Sequence, residues 1–199
     1  MADRETLSRR KVLGVAGMAL GSVAGAALLG ACGTNAAASG AAGYTLYLTI
    51  LSDAMTGKKD WPAYVPSDLT VPANVPVTVR IVNFDGTAPA PDGSPYLTVS
   101  GVVGGQATTQ DLTATDPNAA GPSQPYHTLA GKDLAHTFTV TDLQLNVPVP
   151  ATATVTFTFN SGKPGNHQWQ CHAPCGTDPS GVGGPMIRPG YMVGTLHVV

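Results

Sequence analysis

The chain has 199 residues, of which only 11% are charged, and its formal net charge is −2. Outside the N-terminal segment no basic cluster exists, which argues against a nucleic-acid partner. Glycine (24) and proline (17) are abundant while helix-type periodicity is nearly absent, a combination that predicts an all-β domain.

Residues 1–31 open with charge, including Ser8, Arg9, Arg10 and Lys11, and pass into an uncharged run of Ala, Gly, Leu and Val. That run is short and rich in Gly and Ala, the layout of an export signal and not of a membrane span. The paired arginines resemble a twin-arginine signal. The run ends Leu29-Gly30-Ala31-Cys32, which resembles the lipobox of bacterial lipoproteins. This resemblance implies that Cys32 becomes the lipid-modified first residue, anchored on the outer face of the cytoplasmic membrane. An ordinary secretory signal ending near a cysteine is the blander alternative. Residues 32–43 continue as small residues with one Thr and one Asn and read as a flexible tether. Cys171 and Cys175 are then the only cysteines of the mature domain, in an oxidising compartment where a disulfide competes with a metal site.

Residues 44–199 suffice for one domain with a sizeable core. Period-two patterns rich in β-branched residues predict strands at 44–50 (YTLYLTI), 75–84 (VPVTVRIVNF), 137–140, 153–159 (ATVTFTF) and 193–199. Pro62, Pro66, Pro72, Pro76, Pro148, Pro150 and Pro164 fall near the joints, where a missing N–H costs least. Residues 86–135 read as an insertion between sheet strands, with a possible strand at 96–100, a turn at 101–105 and a loop at 114–123. These patterns together predict a β-sandwich or barrel.

Four segments carry the chemistry. His136 starts one strand, and Val147-Pro-Val-Pro150 leads into the next. Pro164-Gly-Asn-His-Gln-Trp-Gln-Cys171 runs a strand into a loop holding Cys171 and Cys175, and Met192 directly precedes the last strand. Imidazole and thiolate offer strong bonds to a soft, redox-active copper, and a thioether offers a weak axial one.

On these motifs the region from about Tyr44 to Val199 resembles the cupredoxins, and within them the copper-A domain of cytochrome c oxidase subunit II. The residues that carry the resemblance are His136-Thr-Phe-Thr-Val, Pro164-Gly165, Cys171-His-Ala-Pro-Cys175-Gly176, and Met192 with Val-Gly-Thr-Leu-His-Val after it. It implies an antiparallel Greek-key β-sandwich or barrel and an extracytoplasmic electron carrier. It also implies copper held by His136, Cys171, Cys175 and Met192, with the carbonyl of Ala173 in the backbone-ligand place. A cytochrome or an oxidase is the implied redox partner. One departure matters: the family's second histidine belongs between the second cysteine and the methionine, and residues 176–191 contain none. His172 is a poor substitute, because neighbours on an extended strand point to opposite faces. The expectation is therefore a mononuclear or degenerate copper site.

Other readings stand beside this one. Cys171 and Cys175 can form a disulfide closing a small ring of modest effect on the unfolded chain. Met186 can replace Met192, although packing in the loop fits it better. His127 reads as a loop histidine, His167 as solvent-facing or next to the site, and His197 as an ordinary strand residue. Trp169 shares a strand face with Cys171 and is expected to pack against the site. Trp61 is read as pinning a loop, or as a docking aromatic. No nucleophile–base pair, acidic dyad or phosphate-binding glycine loop has a persuasive spacing. The rival functions are copper binding and delivery without an electron-carrier role, and a metal-free structural lipoprotein with a Cys171–Cys175 disulfide.

Overall fold

Alternation of apolar and polar residues gives each long strand one dry and one wet face, and two such sheets bury their dry faces against each other. The structure is a computed structural model describing residues 43–112, 122–176 and 181–199. The signal, Cys32 and the tether up to residue 42 lie outside the described residues, as do most of the loop expected at 114–123 and part of the loop after Cys175. None of the helices among the described residues is long and apolar enough to cross a membrane.

Eleven strands follow in order: β1 (Tyr44–Leu51), β2 (Ala63–Val65), β3 (Asp68–Val71), β4 (Pro76–Asn83), β5 (Ala107–Asp111), β6 (Gln124–Tyr126), β7 (Leu134–Val140), β8 (Leu145–Pro150), β9 (Ala153–Asn160), β10 (Gly165–Gln170) and β11 (Val193–Val198). One short helix, α1 (Asp53–Thr56), follows β1. The strands form a six-stranded sheet ordered β2-β1-β4-β9-β5-β6 and a five-stranded sheet ordered β3-β11-β10-β7-β8. This is the two-sheet β-sandwich expected from the sequence.

The sheets are mixed and not purely antiparallel. β1 runs parallel to β4, and β3 runs parallel to β11. The cause is the path of the chain. After the β1–β2 pair it crosses to the other sheet for β3, then returns to place β4 beside β1, and a crossover of that length permits parallel pairing.

β4 shows the pattern cleanly, burying Val77, Val79 and Ile81 while Arg80 faces solvent. β9 answers with Val155, Phe157 and Phe159. At the centre Trp169 lies 5.0 Å from Tyr64 and 5.7 Å from Phe138, ring centre to ring centre. Its indole N–H donates to the Ser67 carbonyl at 2.8 Å, so the ring is buried without an orphaned donor.

Three segments differ from the sequence expectation. β8 was expected to be a lead-in to β9, yet it is a strand despite Pro148 and Pro150. It lies at a sheet edge, where a missing N–H breaks no central ladder. Residues 96–100 do not form a strand. A 3₁₀ turn at Pro95–Leu97 gives way to single bridges from Thr98 and Ser100. Finally, the segment 86–135 contributes β5 and β6 to the six-stranded sheet, with β5 paired to β9.

Every residue of β7 is buried, and residues 96–100 lie against the neighbouring β8 through the bridge from Ser100 to Asn146. Thr137 and Thr139 of β7 share a hydrogen bond of 2.9 Å, and Thr139 donates to the Asn146 side-chain oxygen at 2.7 Å. The Asn146 amide then donates to the carbonyls of Tyr96 and Thr98. Buried polar groups in this layer are thereby paired.

Candidate metal centre

The site lies where β7, the end of β10 and the start of β11 meet. Two residues of β7 oppose one of β8 between Leu134 and His136, a bulge that re-aims the strand just before the histidine. His136 is fully buried. Its Nε2 lies 3.0 Å from Asp85 Oδ2, and its Nδ1 lies 3.8 Å from Cys171 Sγ. The two ring nitrogens thus face different partners. With Nε2–H donated to the carboxylate, the Nδ1 lone pair points at the sulfur.

Asp85 is held by a local turn. Its backbone N–H donates to the Asn83 side-chain oxygen at 2.9 Å, and the Asn83 amide donates to the Pro150 carbonyl at 2.8 Å. A polar residue at the buried end of β4 therefore fixes the carboxylate that orients His136.

Cys171 is also fully buried and continues the β10–β11 ladder, its N–H donating to the Met192 carbonyl at 2.8 Å. The pairing Gln170↔Val193 makes Cys171 and Met192 the next opposed pair. Directly opposed residues in an antiparallel ladder project to the same side, so both side chains enter the same buried region. Met192 is itself fully buried. The Thr137 N–H donates to Cys171 Sγ at 3.4 Å, and the Tyr64 hydroxyl donates to the Thr137 carbonyl at 3.1 Å.

Cys175 returns toward Cys171 through a tight turn closed by its own N–H on the Ala173 carbonyl at 2.7 Å. The two sulfurs are 3.4 Å apart and both cysteines are free thiols. A disulfide bond measures about 2.0 Å. The donor atoms of His136, Cys171 and Cys175 all lie within 4.8 Å of one another, a group able to hold a metal ion.

The electrostatics follow from this crowding. Burial pushes the Cys171 thiol up, but hydrogen bonds from Cys175 and His136, with the imidazolium charge, hold it well below the usual thiol range. Cys175 moves well above that range, because its proton is shared with the Cys171 sulfur and partial burial disfavours a second thiolate there. For His136 burial alone favours the neutral ring. The Asp85 hydrogen bond and the Cys171 sulfur together override it and raise the ring to about 9. Burial, then the nearby sulfurs, raises the Tyr64 phenol far above its ordinary value. These shifts all run toward a proton kept on His136 and on Cys175 and away from Cys171.

This donor set fits copper. It offers two sulfurs and one imidazole nitrogen whose tautomer is fixed from behind, with a buried methionine opposite one cysteine. It does not fit a hard cation, since the carboxylate lies behind the histidine and not among the donors.

The remaining expected residues lie elsewhere. His172 presents its ring to the opposite side, stacked on Tyr96 at 4.4 Å and 3° between planes. Its backbone N–H donates to the Thr137 hydroxyl at 2.8 Å. The Ala173 carbonyl closes the turn to Cys175. Met186 is buried in a 3₁₀ turn, and its carbonyl accepts from the Gln170 amide at 2.9 Å. His127 meets the Gly105 carbonyl at 2.8 Å, and His197 meets Asn166 at 2.8 Å on the neighbouring strand. His167 lies 3.5 Å from an Asp142 oxygen. Trp61 sits under the Lys58 ammonium, 2.9 Å from the ring centre, and edge-on to Tyr191 at 4.9 Å.

Sequence reasoning missed Asp85, Thr137 and Tyr64. Asn83-Phe-Asp85-Gly86 carries a turn signal, but nothing in it points to a histidine 51 positions later. A contact across such a distance has no local signature.

No family model matches the chain, and no curated protein matches it in sequence. Among solved structures it is similar to auracyanin B, at 14% identity and a TM-score of 0.37, over 79% of this chain and 89% of that one. It is similar to the auracyanin of the photosynthetic bacterium Roseiflexus castenholzii, at 16% identity and a TM-score of 0.34, over 78% and 96%. It is also similar to a multi-copper oxidase from Pediococcus acidilactici, at 11% identity and a TM-score of 0.38, over 80% of this chain and 27% of the oxidase.

Proposed function

We propose that the chain is an exported, lipid-anchored protein that binds one copper ion and carries single electrons. The observation that supports this reading best is the trio of His136, Cys171 and Cys175, with Asp85 fixing the imidazole so that Nδ1 faces sulfur. In the proposed holo form His136, Cys171 and Cys175 would hold the ion, and the thioether of the buried Met192 would be a further, weaker donor. When bound, copper supplies the one-electron chemistry. The chain's own residues orient the imidazole, hold the donors together and exclude water. Thr137 N–H stabilises charge on the Cys171 sulfur, and the aromatic wall of Tyr64, Trp169 and Phe138 keeps the surroundings apolar.

One site, not two, follows from the donors. Only one histidine is present in the trio, and the neighbouring His172 has its ring stacked on Tyr96. A cytochrome or an oxidase is the proposed partner, since a single-electron carrier needs a donor and an acceptor.

The test is to reduce the thiols, add Cu(II) and record the visible spectrum. An intense thiolate-to-copper band that disappears in Cys171→Ser supports the proposal, and a colourless, correctly folded product sinks it. A second reading, copper delivery, is favoured by one observation: Cys175 is only partly buried and therefore within reach of an acceptor. Reversible potentiometric cycling supports a carrier, whereas retention of Cu(I) alone with rapid transfer to a competing chelator supports delivery. A chain that purifies two hydrogens light and takes no copper supports the disulfide alternative.

A further inference from the structure

A cleft of about 470 Å³ opens beside α1 and is lined by Asp53, Asp60, Asp85, Thr87, Pro174 and Cys175. Two of these residues belong to the buried site as well. Cys175 contributes its sulfur to the trio, and Asp85 bonds His136. The cleft therefore ends on the donor group, while Cys171 and His136 behind it have no exposed surface. Its lining includes two further carboxylates, Asp53 and Asp60. The Asp60 backbone N–H donates to Asp53 Oδ2 at 3.2 Å, which draws the two residues together. Neither has an ion-pair partner among the described residues, whereas Asp85 is engaged by His136. Lys58, the nearest basic residue in sequence to Asp60 apart from Lys59, is turned onto Trp61.

We infer that this cleft is a cation-selective access route by which a small copper ion or its cationic complex reaches Cys175. The inference rests on the copper reading of the site for its natural ligand, but the selectivity is a property of the chain alone. Carboxylates without an ion-pair partner in the lining of a cleft lend it a negative potential, concentrating cations and repelling anions. Cys175 is the first donor met, because it is the one member of the trio that is only partly buried. Cys171 and His136, buried behind it, would complete the donor set.

The experiment uses the full-length, metal-free, reduced protein and two alkylating reagents of similar size. Iodoacetamide is neutral and iodoacetate is an anion. In either case the Cys175 sulfur forms a thioether bond to carbon and iodide leaves. Both reagents attack the same thiolate, so the ratio of their rates cancels the thiol's protonation. Peptide mapping assigns the adduct, and glutathione supplies the reference ratio. At low salt the iodoacetate rate is expected to fall about fivefold to tenfold further behind iodoacetamide than it does on glutathione. Salt should erase the difference, and the double substitution D53N/D60N should do the same. A ratio equal to that of glutathione overturns the inference, as does faster labelling of Cys171 than of Cys175.

Copper uptake provides a second arm. D53N/D60N should slow Cu(I) loading about fivefold at low salt and leave the final spectrum unchanged. Unchanged loading rates overturn the route. If the alkylation bias is present and no copper binds, the cleft stands and the copper assignment falls.

Discussion

His136 and His172 lie at opposite sides of one strand contact, and the difference between them is testable. His136 has Nδ1 on Cys171 and Nε2 on Asp85, while His172 stacks on Tyr96. His136→Ala should abolish the native copper spectrum, and His172→Ala should leave the ligand field nearly unchanged. The reverse result would mean that the cysteine loop folds differently around copper. Asp85→Asn keeps the shape of the side chain but removes the charge behind the imidazole. Copper affinity should drop about tenfold to a hundredfold in a competition titration, with the far-UV spectrum intact. pH should act in the same direction. Copper needs both the imidazole and the Cys175 thiol deprotonated, and the folded protein holds the first proton up to about 9 and the second higher still. Protons therefore compete with the metal throughout the neutral range. Apparent affinity for Cu(I) should rise by about two powers of ten per pH unit from pH 6 to 8, and less steeply above 9. A pH-independent affinity would show that neither proton is displaced.

The element that matters most for holding the site together is β11, because it pairs with both β10 and β3 and follows directly on Met192. Gly194 sits where the sheet is tightest. An added Cβ would lie 2.0 Å from the Ser67 carbonyl oxygen and 2.7 Å from the Trp169 indole nitrogen. Both are fixed, the first by backbone and the second by its hydrogen bond to that same carbonyl. Gly194→Ala should destabilise the domain by about 1–3 kcal/mol in urea unfolding, from forced backbone shifts. Gly43→Ala is the control, since its Cβ would meet only an ordinary contact at 3.7 Å. Equal stability of the two variants would mean that β11 and β3 can separate without cost.

At the scale of the whole molecule, the proposed anchor, Cys32, stands in sequence ahead of the tether and is not among the residues assigned to the site. Loss of Cys32 should therefore change location without changing chemistry. Cys32→Ala should move the protein from the membrane fraction to the soluble fraction after cell lysis, with an unaltered copper spectrum. Membrane retention of that variant would point to an uncleaved N-terminal segment as the anchor.

The sequence by itself determined the elements whose information is local. β1, β4, β9 and β11 announce themselves because each alternates apolar and β-branched residues over its own length. Cys171, Cys175 and Met192 could be grouped from sequence because they flank one loop. His136 could be added only by setting a separate strand beside that loop, a grouping that the family resemblance then supported. What the tertiary structure decided was everything that needs two distant segments. β8 is a strand because a sheet edge tolerates its prolines, and no property of those residues alone states that they lie at an edge. β1 and β4 are parallel because the chain visits the other sheet between them. Asp85 became part of the site because a bulge in β7 and a turn after β4 bring a carboxylate to 3.0 Å from an imidazole. Strand patterns report burial of one face, which is a local quantity. Pairing, direction and the second contact of a ligand are set by free energy shared between segments, and they exist only once the sheets have closed.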